Sequence, residues 1–411
     1  LPLGAGALSC GSGPDPSQGG AVVAVQVDAS YENGNGGSGS NSYTQAFVLG
    51  AGADYAAFAG TLVRLEFDGS GATQGAYFSN AATLDLAVAS NDGSVWWAGQ
   101  GTNMGGCTLD GGTGQAFGLW TSSDAAFLGI SATAAPAAQF CPTSTTSAMT
   151  QGNAGVFGLA VDARWAFVAV AFTAQVSGPG NVPDQQGWPG ASPQLTPGPG
   201  ASLLRFDRQN LTASPVPLGG VTQLANEVTS HVLSQNTLEV YWLDASGTGG
   251  DRVMRAAKDP WTTGQVLGTA KANTLTGLAA DDQVVVWTSS GPPLLGANGC
   301  TVFASQADGP PVKIYDGQDA PFLCWGAAVD DKYAYFATAQ VTQQTQGGGN
   351  PPTYMEGTGI GRVPLAGGAV QTVPLSSPRW YGPRRVKVDS QYVYAIDPSF
   401  VARVDKSAFG P

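Results

Sequence analysis

The sequence predicts an all-β chain folded as a single β-propeller of seven blades, with six or eight as the neighbouring counts, closed by a strand from the N-terminal region. Three observations carry this expectation: a Gly- and Pro-rich, charge-poor composition, an Asp-anchored phrase that recurs along the chain, and an Arg-bearing strand after most copies of the phrase. Residues 1–20 read as an extended Gly/Pro/Ser-rich arm or tether, and 21–411 as the propeller.

The chain has 411 residues, with 59 Gly, 27 Pro, 43% hydrophobic residues and only 11% charged residues. Many short apolar strands broken by turns give that profile, whereas long amphipathic helices do not. The best helical stretch, Asp251 to Lys258, is short. Seventeen Lys and Arg against 29 Asp and Glu leave a net charge of −12, which repels phosphate backbones, so nucleic acid is not an expected partner. No apolar run reaches the roughly 18 residues of a transmembrane helix; the stretch Trp165 to Phe172 is soon followed by Gly and Pro.

The recurring phrase is a small or apolar run, then Asp or Asn, then an aromatic or β-branched strand. It reads Gly158-Leu-Ala-Val-Asp162 before Trp165, Gly277-Leu-Ala-Ala-Asp281 before Val284, Gly326-Ala-Ala-Val-Asp330 before Tyr333, and Arg385-Val-Lys-Val-Asp389 before Tyr392. Weaker copies centre on Asn91, Ser122 and Asn236, and a first copy is assigned to Asp28. The count of seven includes Asp28 and treats Ser122 as an extra strand. The second half of each unit is a strand containing Arg64, Arg205, Arg252 with Arg255, Arg362 or Arg403, and a fourth strand follows, as in Val370 to Leu375. An Asp or Asn at a strand junction bonds the amides of its turn, so these side chains are structural and do not form a ring of catalytic acids. The last phrase leaves room for three strands before Pro411, so closure draws on Ala21 to Val27 or on 43–67.

Val240-Tyr-Trp-Leu-Asp244 followed by Arg252-Val-Met-Arg255 resembles the YWTD-type propeller blades of low-density-lipoprotein-receptor relatives. The longer pattern resembles still more the propeller repeats of bacterial surface lipoproteins. The resemblance spans most of 80–411 and implies the fold; it leaves function open.

Two of the five cysteines share a context, Gly106-Cys107-Thr108 and Gly299-Cys300-Thr301, and each is followed by another, Cys141 and Cys324. Stacked repeats make Cys107 with Cys141 and Cys300 with Cys324 the natural disulfides, which implies an oxidising compartment: secreted, periplasmic or outer cell surface. Cys10 is left over. Its setting resembles the end of a bacterial lipoprotein signal, so it is a lipid-anchoring residue, an interchain disulfide partner or a free thiol.

Residues just before each blade's first strand are expected at one mouth of the channel. Register places His231, Trp325 and Arg384 in equivalent positions, with Glu227, Arg379, Trp380 and Tyr381 beside them. The segment Ser377 to Arg385 holds three of eleven arginines interleaved with two aromatics, the best candidate contact patch for a protein or glycan. The competing reading packs these rings in the channel or between blades. His231 is the only histidine, which argues against a multi-histidine metal site, and no nucleophile, phosphate-loop or dinucleotide motif occurs. No cofactor is expected; Asp28, Glu32, Asn33 and Asn35 are the one set of oxygen donors that could hold Ca²⁺. The expected function is a non-enzymatic surface binding module. The alternatives are a structural subunit joined through the N-terminal arm, and a carbohydrate hydrolase or lyase using Glu227 with His231.

Overall fold

The computed structural model describes residues 21–26, 44–48, 54–58, 61–66, 71–77, 87–91, 93–100, 117–123, 153–173, 202–211, 216–218, 233–245, 250–271, 274–290, 299–306, 309–343, 353–375, 385–397 and 400–410. The described strands are arranged in antiparallel sheets taken in chain order. After β1 (Ala21–Gln26), the first sheet holds β2 (Thr44–Val48), β3 (Asp54–Phe58), β4 (Thr61–Glu66) and β5 (Gly71–Tyr77). The next has β6 (Ala87–Asn91), β7 (Ser94–Gln100) and β8 (Phe117–Ser123). Then come β9 (Asn153–Val161), β10 (Trp165–Thr173), β11 (Ser202–Asp207) and β12 (Val216–Pro217). The following sheet is β13 (Leu233–Gln235), β14 (Glu239–Ala245), β15 (Asp251–Ala257) and β16 (Gln265–Ala270). The next is β17 (Leu275–Ala280), β18 (Val284–Ser290), β19 (Cys300–Gln306) and β20 (Val312–Gly317). After it stand β21 (Leu323–Val329), β22 (Tyr333–Gln343), β23 (Thr353–Pro364) and β24 (Gln371–Pro374). The last sheet joins β25 (Arg385–Val388), β26 (Tyr392–Asp397) and β27 (Phe400–Asp405) to β1, which pairs antiparallel with β27 from Ala21↔Val404 to Gln26↔Phe400.

The first strand of each sheet touches the first strand of the next, from β2 through β6, β9, β13, β17 and β21 to β25. The last sheet meets the first through β26 with β2 and β1 with β5. Sheets in that cyclic order make an all-β, single β-propeller.

The recurring phrase marks the turn between first and second strands. Oδ1 of Asp330 accepts from the amides of Lys332 and Tyr333 at 3.0 and 2.9 Å, and Asp162, Asn236, Asp281 and Asp389 do the same two and three residues on. Tyr335 and Tyr394, five residues after their aspartates, donate to the other carboxylate oxygen at 2.9 and 2.7 Å. Neighbouring sheets use that oxygen too: Lys258 reaches Asp162 and Lys406 reaches Asp330, each at 2.6 Å. Burial alone would raise the Asp330 carboxyl, but the Lys406 ammonium, the turn amides and the Tyr335 hydroxyl hold it below the usual carboxylate range. Burial, and then the hydrogen bond to Asp330 and its charge, push the Tyr335 hydroxyl up.

Between sheets the core is aromatic and aliphatic. Trp97, Trp242 and Trp287 occupy matching positions in second strands and are fully buried. Trp242 and Trp287 share one cluster with Phe167, Val240 and Leu278, which spans three consecutive sheets. First strands approach so closely that a Cβ on Gly277 would lie 2.2 Å from the backbone carbon of Gly326, itself at φ +62°.

Two expectations need correction. Asp251 to Lys258 is a strand with its turn, because Val253, Met254 and Ala256 are buried while the sheet supplies hydrogen bonds on both sides of β15. Ser122, expected as an extra strand, lies in β8, the third strand of its sheet, opposite Val95. The first-to-second turn of the first sheet follows Val48, so the phrase assigned to Asp28 is not that turn; Asp28 itself lies outside the described residues. The Arg-bearing strands are third strands, β4, β11, β15, β23 and β27, as the phrase spacing implied.

Two tests follow from this packing. Asp330→Asn keeps the turn acceptor and loses the ionic partner, so it should cost about 2 kcal/mol at pH 7 in urea unfolding. A carboxyl depressed by folding stabilises above its unfolded pKa of about 4, and that share is lost as pH falls through the lower folded value. The variant should therefore lose stability less steeply than the parent below pH 4, and parallel acid profiles would refute the pairing. Gly277→Ala should cost about 3 kcal/mol or abolish folding, as read by thermal unfolding.

Candidate functional site: the face of the long connections

Strand direction alternates within a sheet, so turns between strands one and two and between strands three and four share one face. Connections from strand two to three, and from one sheet to the next, share the other. The first face has three-residue turns at 162–164, 236–238, 281–283, 330–332 and 389–391. The second anchors both ends of 101–116, 174–201 and 344–352 within sheets, and of 219–232 and 375–384 between them, while 124–152 leaves the third strand β8 on the first face and reaches the second at β9. The expected contact residues Glu227, His231, Arg379, Trp380, Tyr381 and Arg384 fall in these connections, as do Cys107 and Cys141; all lie outside the described residues, as does Cys10. The Ca²⁺ candidates Asp28, Glu32, Asn33 and Asn35 also lie outside them.

Trp325 is the expected mouth residue that the structure does describe, and it is packed. It is the third residue of β21, pairs with Ala337, and is 1% exposed beside Leu323 and Ala339. Its counterpart in the preceding sheet, Thr276, is buried as well. The start of a first strand is covered by its own second strand and by the adjoining sheet, so this ring contributes packing and offers no face to a ligand.

Beneath the long connections, polar links join one sheet to the next. The disulfide Cys300–Cys324 ties the start of β19 to the start of β21 across consecutive sheets. Ser290 receives the Cys324 amide at 2.8 Å and donates to the Cys324 carbonyl at 2.7 Å. Thr276 donates to the same carbonyl at 2.8 Å. One sheet earlier Asp251, first residue of β15, accepts the amides of Thr274 and Leu275 at 2.9 and 3.2 Å. A buried carboxylate thus makes at one seam the link that a disulfide makes at the next. Sequence reasoning missed these residues; their signal was a Ser/Thr cluster, Thr288-Ser289-Ser290, ending an otherwise apolar strand.

β25 departs from the other first strands. At the positions of Arg385 and Lys387 three of the others carry Gly158 and Ala160, Gly277 and Ala279, and Gly326 and Ala328. Two residues apart, Arg385 and Lys387 share one side of β25, opposite Ile396 and Tyr394. Burial, and then the Arg385 guanidinium, push the Lys387 ammonium down to about 8. With Arg379 and Arg384, four of the chain's seventeen cations fall within nine residues that run from the long-connection face into the innermost strand. Among the described residues no group of three His, Cys, Asp or Glu side chains is placed to hold a metal ion.

No protein-family model and no curated protein matches this chain. Among solved structures it is similar to the computationally designed Ika8 protein, at 10% identity, a TM-score of 0.45, and 89% of this chain against 96% of that one. It is also similar to YCF48 from Cyanidioschyzon merolae, at 10% identity, a TM-score of 0.47, and the same shares of 89% and 96%.

A lysine whose folded pKa lies below its unfolded value destabilises the fold wherever both states are protonated, here below about pH 8. Lys387→Met should therefore raise the unfolding midpoint at pH 7. The gain should shrink between pH 8 and the unfolded value of about 10.4; a midpoint that falls at pH 7 would show that Lys387 is stabilised by a partner.

Proposed function

We propose that the chain is a non-enzymatic, secreted or cell-surface binding module that holds an anionic protein or glycan partner on its long-connection face. The carrying observation is β25, where Arg385 and Lys387 stand at positions that three other first strands give to Gly and Ala. Two like charges on one side of an innermost strand, one of them with a depressed pKa, cost stability. Such a cost is typical of a site kept for binding. The adjacent Arg379, Trp380, Tyr381 and Arg384 add guanidinium and aromatic groups of the kind that dominate binding interfaces.

In this reading the ring has seven blades and β1 supplies the outer strand of the last. The β1–β27 ladder and the contact of β1 with β5 support that arrangement. The Cys300–Cys324 bond supports an oxidising compartment, and Cys107 with Cys141 would be the matching staple, since one lies between strands two and three of its sheet and the other in the crossover to the next.

The test is a pull-down from the native cell envelope with the purified chain, run beside Arg379→Ala/Trp380→Ala and a short-turn-face control, Lys332→Ala. Partner recovery should drop at least about tenfold for the double variant, the loss of roughly 1.4 kcal/mol, and stay unchanged for the control. Equal recovery by all three proteins would remove the site.

A further inference from the structure

Among the described residues one inter-sheet module occurs twice on the short-turn face, its arginine fully hydrogen-bonded in one copy, here the closed one, and not in the other, the open one. In the closed copy, between the β21–β24 sheet and the last sheet, Arg362 lies over Tyr333 at 4.3 Å and Phe409 at 5.0 Å. Lys406 pairs with Asp330. Every nitrogen of Arg362 has an acceptor: Nη1 donates to the Lys406 carbonyl at 3.4 Å, Nε to Gln371 Oε1 at 2.6 Å, and Nη2 to the Gly410 carbonyl at 2.6 Å. The side chain is 5% exposed.

The other copy lies between the β9–β12 and β13–β16 sheets, and each group has its counterpart. Arg205 lies over Trp165 at 4.1 Å and Trp261 at 5.1 Å, Lys258 pairs with Asp162, and Arg205 Nη1 donates to the Lys258 carbonyl at 2.6 Å. Here the match stops. The strand-four residue opposite Arg205 is Val216, where Arg362 faces Gln371. The Arg205 Nε is buried without an acceptor, and Val216 is 44% exposed.

A second cation crowds the open copy. Arg164 lies over the same Trp165 ring at 4.4 Å, and its charge, after burial, helps to lower the Arg205 pKa. Its ion partner, Asp259, is 61% exposed, which leaves that pair weak. Two neighbouring guanidiniums, an unmatched buried N–H and an exposed valine thus lie together in a chain of net charge −12.

We propose that the partly exposed guanidinium of Arg205, with Arg164 beside it, is a docking site for an acidic peptide segment of a partner protein, which brings an Asp or Glu carboxylate to the two cations. The closed copy identifies the chemistry: its Nε–Nη2 edge is filled by a side-chain carbonyl and a backbone carbonyl, the acceptors a peptide carries. A carboxylate meets a guanidinium with charge assistance. Both indoles are already stacked against guanidinium, which disfavours a sugar ring as occupant, while Val216 and Trp261 supply apolar contact to a peptide.

The test is fluorescence anisotropy with a fluorescein-labelled hexaglutamate peptide. Arg205→Lys, which keeps the charge and loses the fork, should weaken binding about tenfold or more. Val216→Gln should restore the closed arrangement, raise the unfolding midpoint and also weaken binding. Arg362→Lys should lower stability and leave binding unchanged, as should Arg379→Ala/Trp380→Ala, so this result stands apart from that of the long-connection face. Equal affinity for an oligogalacturonate of matched charge, an Arg205-dependent dimer in sedimentation, or binding insensitive to both Arg205→Lys and Val216→Gln would each overturn the proposal.

Discussion

A carboxylate or carboxamide between the first two strands of a sheet accepts the amides two and three residues on, and the geometry of the ring depends on that bond. It ends the first strand sharply and starts the second in register. At Asp162 and Asp330 the second carboxylate oxygen is free to receive a lysine from the following sheet, at 2.6 Å in both places. A local turn device is thereby converted into a link between blades. Where the turn residue is Asn236, its amide donates instead to Tyr241, and the connection to the next sheet passes through Thr237 and Asp282.

The two faces are specialised by the same constraint. Short Asp-anchored turns leave little chain on one face, and what is there stacks: Arg403 over Tyr392, Arg362 over Tyr333, Arg205 over Trp165. The opposite face has no equivalent limit, because its connections cross from strand two to three or from sheet to sheet. There the ends are secured by different chemistry, a disulfide at one seam and a buried aspartate at another. Variation in length is tolerated where strand ends are pinned independently of the loop, which is why binding residues on a rigid scaffold concentrate in such connections.

Much of this was legible in the sequence. The Asp-anchored phrase, the Arg-bearing third strands and the Cys300–Cys324 pair were all readable because each repeats at corresponding positions. The tyrosine five residues after Asp330 and Asp389 was equally readable and went unread. Asp251 was not readable, since its partners are backbone groups of another sheet, and Ser290 left as its one signal the Thr288-Ser289-Ser290 cluster that ends an apolar strand. Trp325 was misplaced for a related reason: counting back from the aspartate gives its register correctly, but register does not say whether the adjoining sheet covers the ring.

The sequence by itself determined the strand order, the turn chemistry and the alternation that places Arg385 and Lys387 on one side of β25, because those depend on spacing within a few residues. Only the tertiary structure decided that Arg362 is fully hydrogen-bonded while the Nε of Arg205, like that of Arg403, is not. Arg205 and Arg362 follow the same local rules, and the difference lies in whether the fourth strand brings Val216 or Gln371 across from them. Hydrogen-bond satisfaction is a property of the assembled neighbourhood, where buried donors either meet an acceptor or do not.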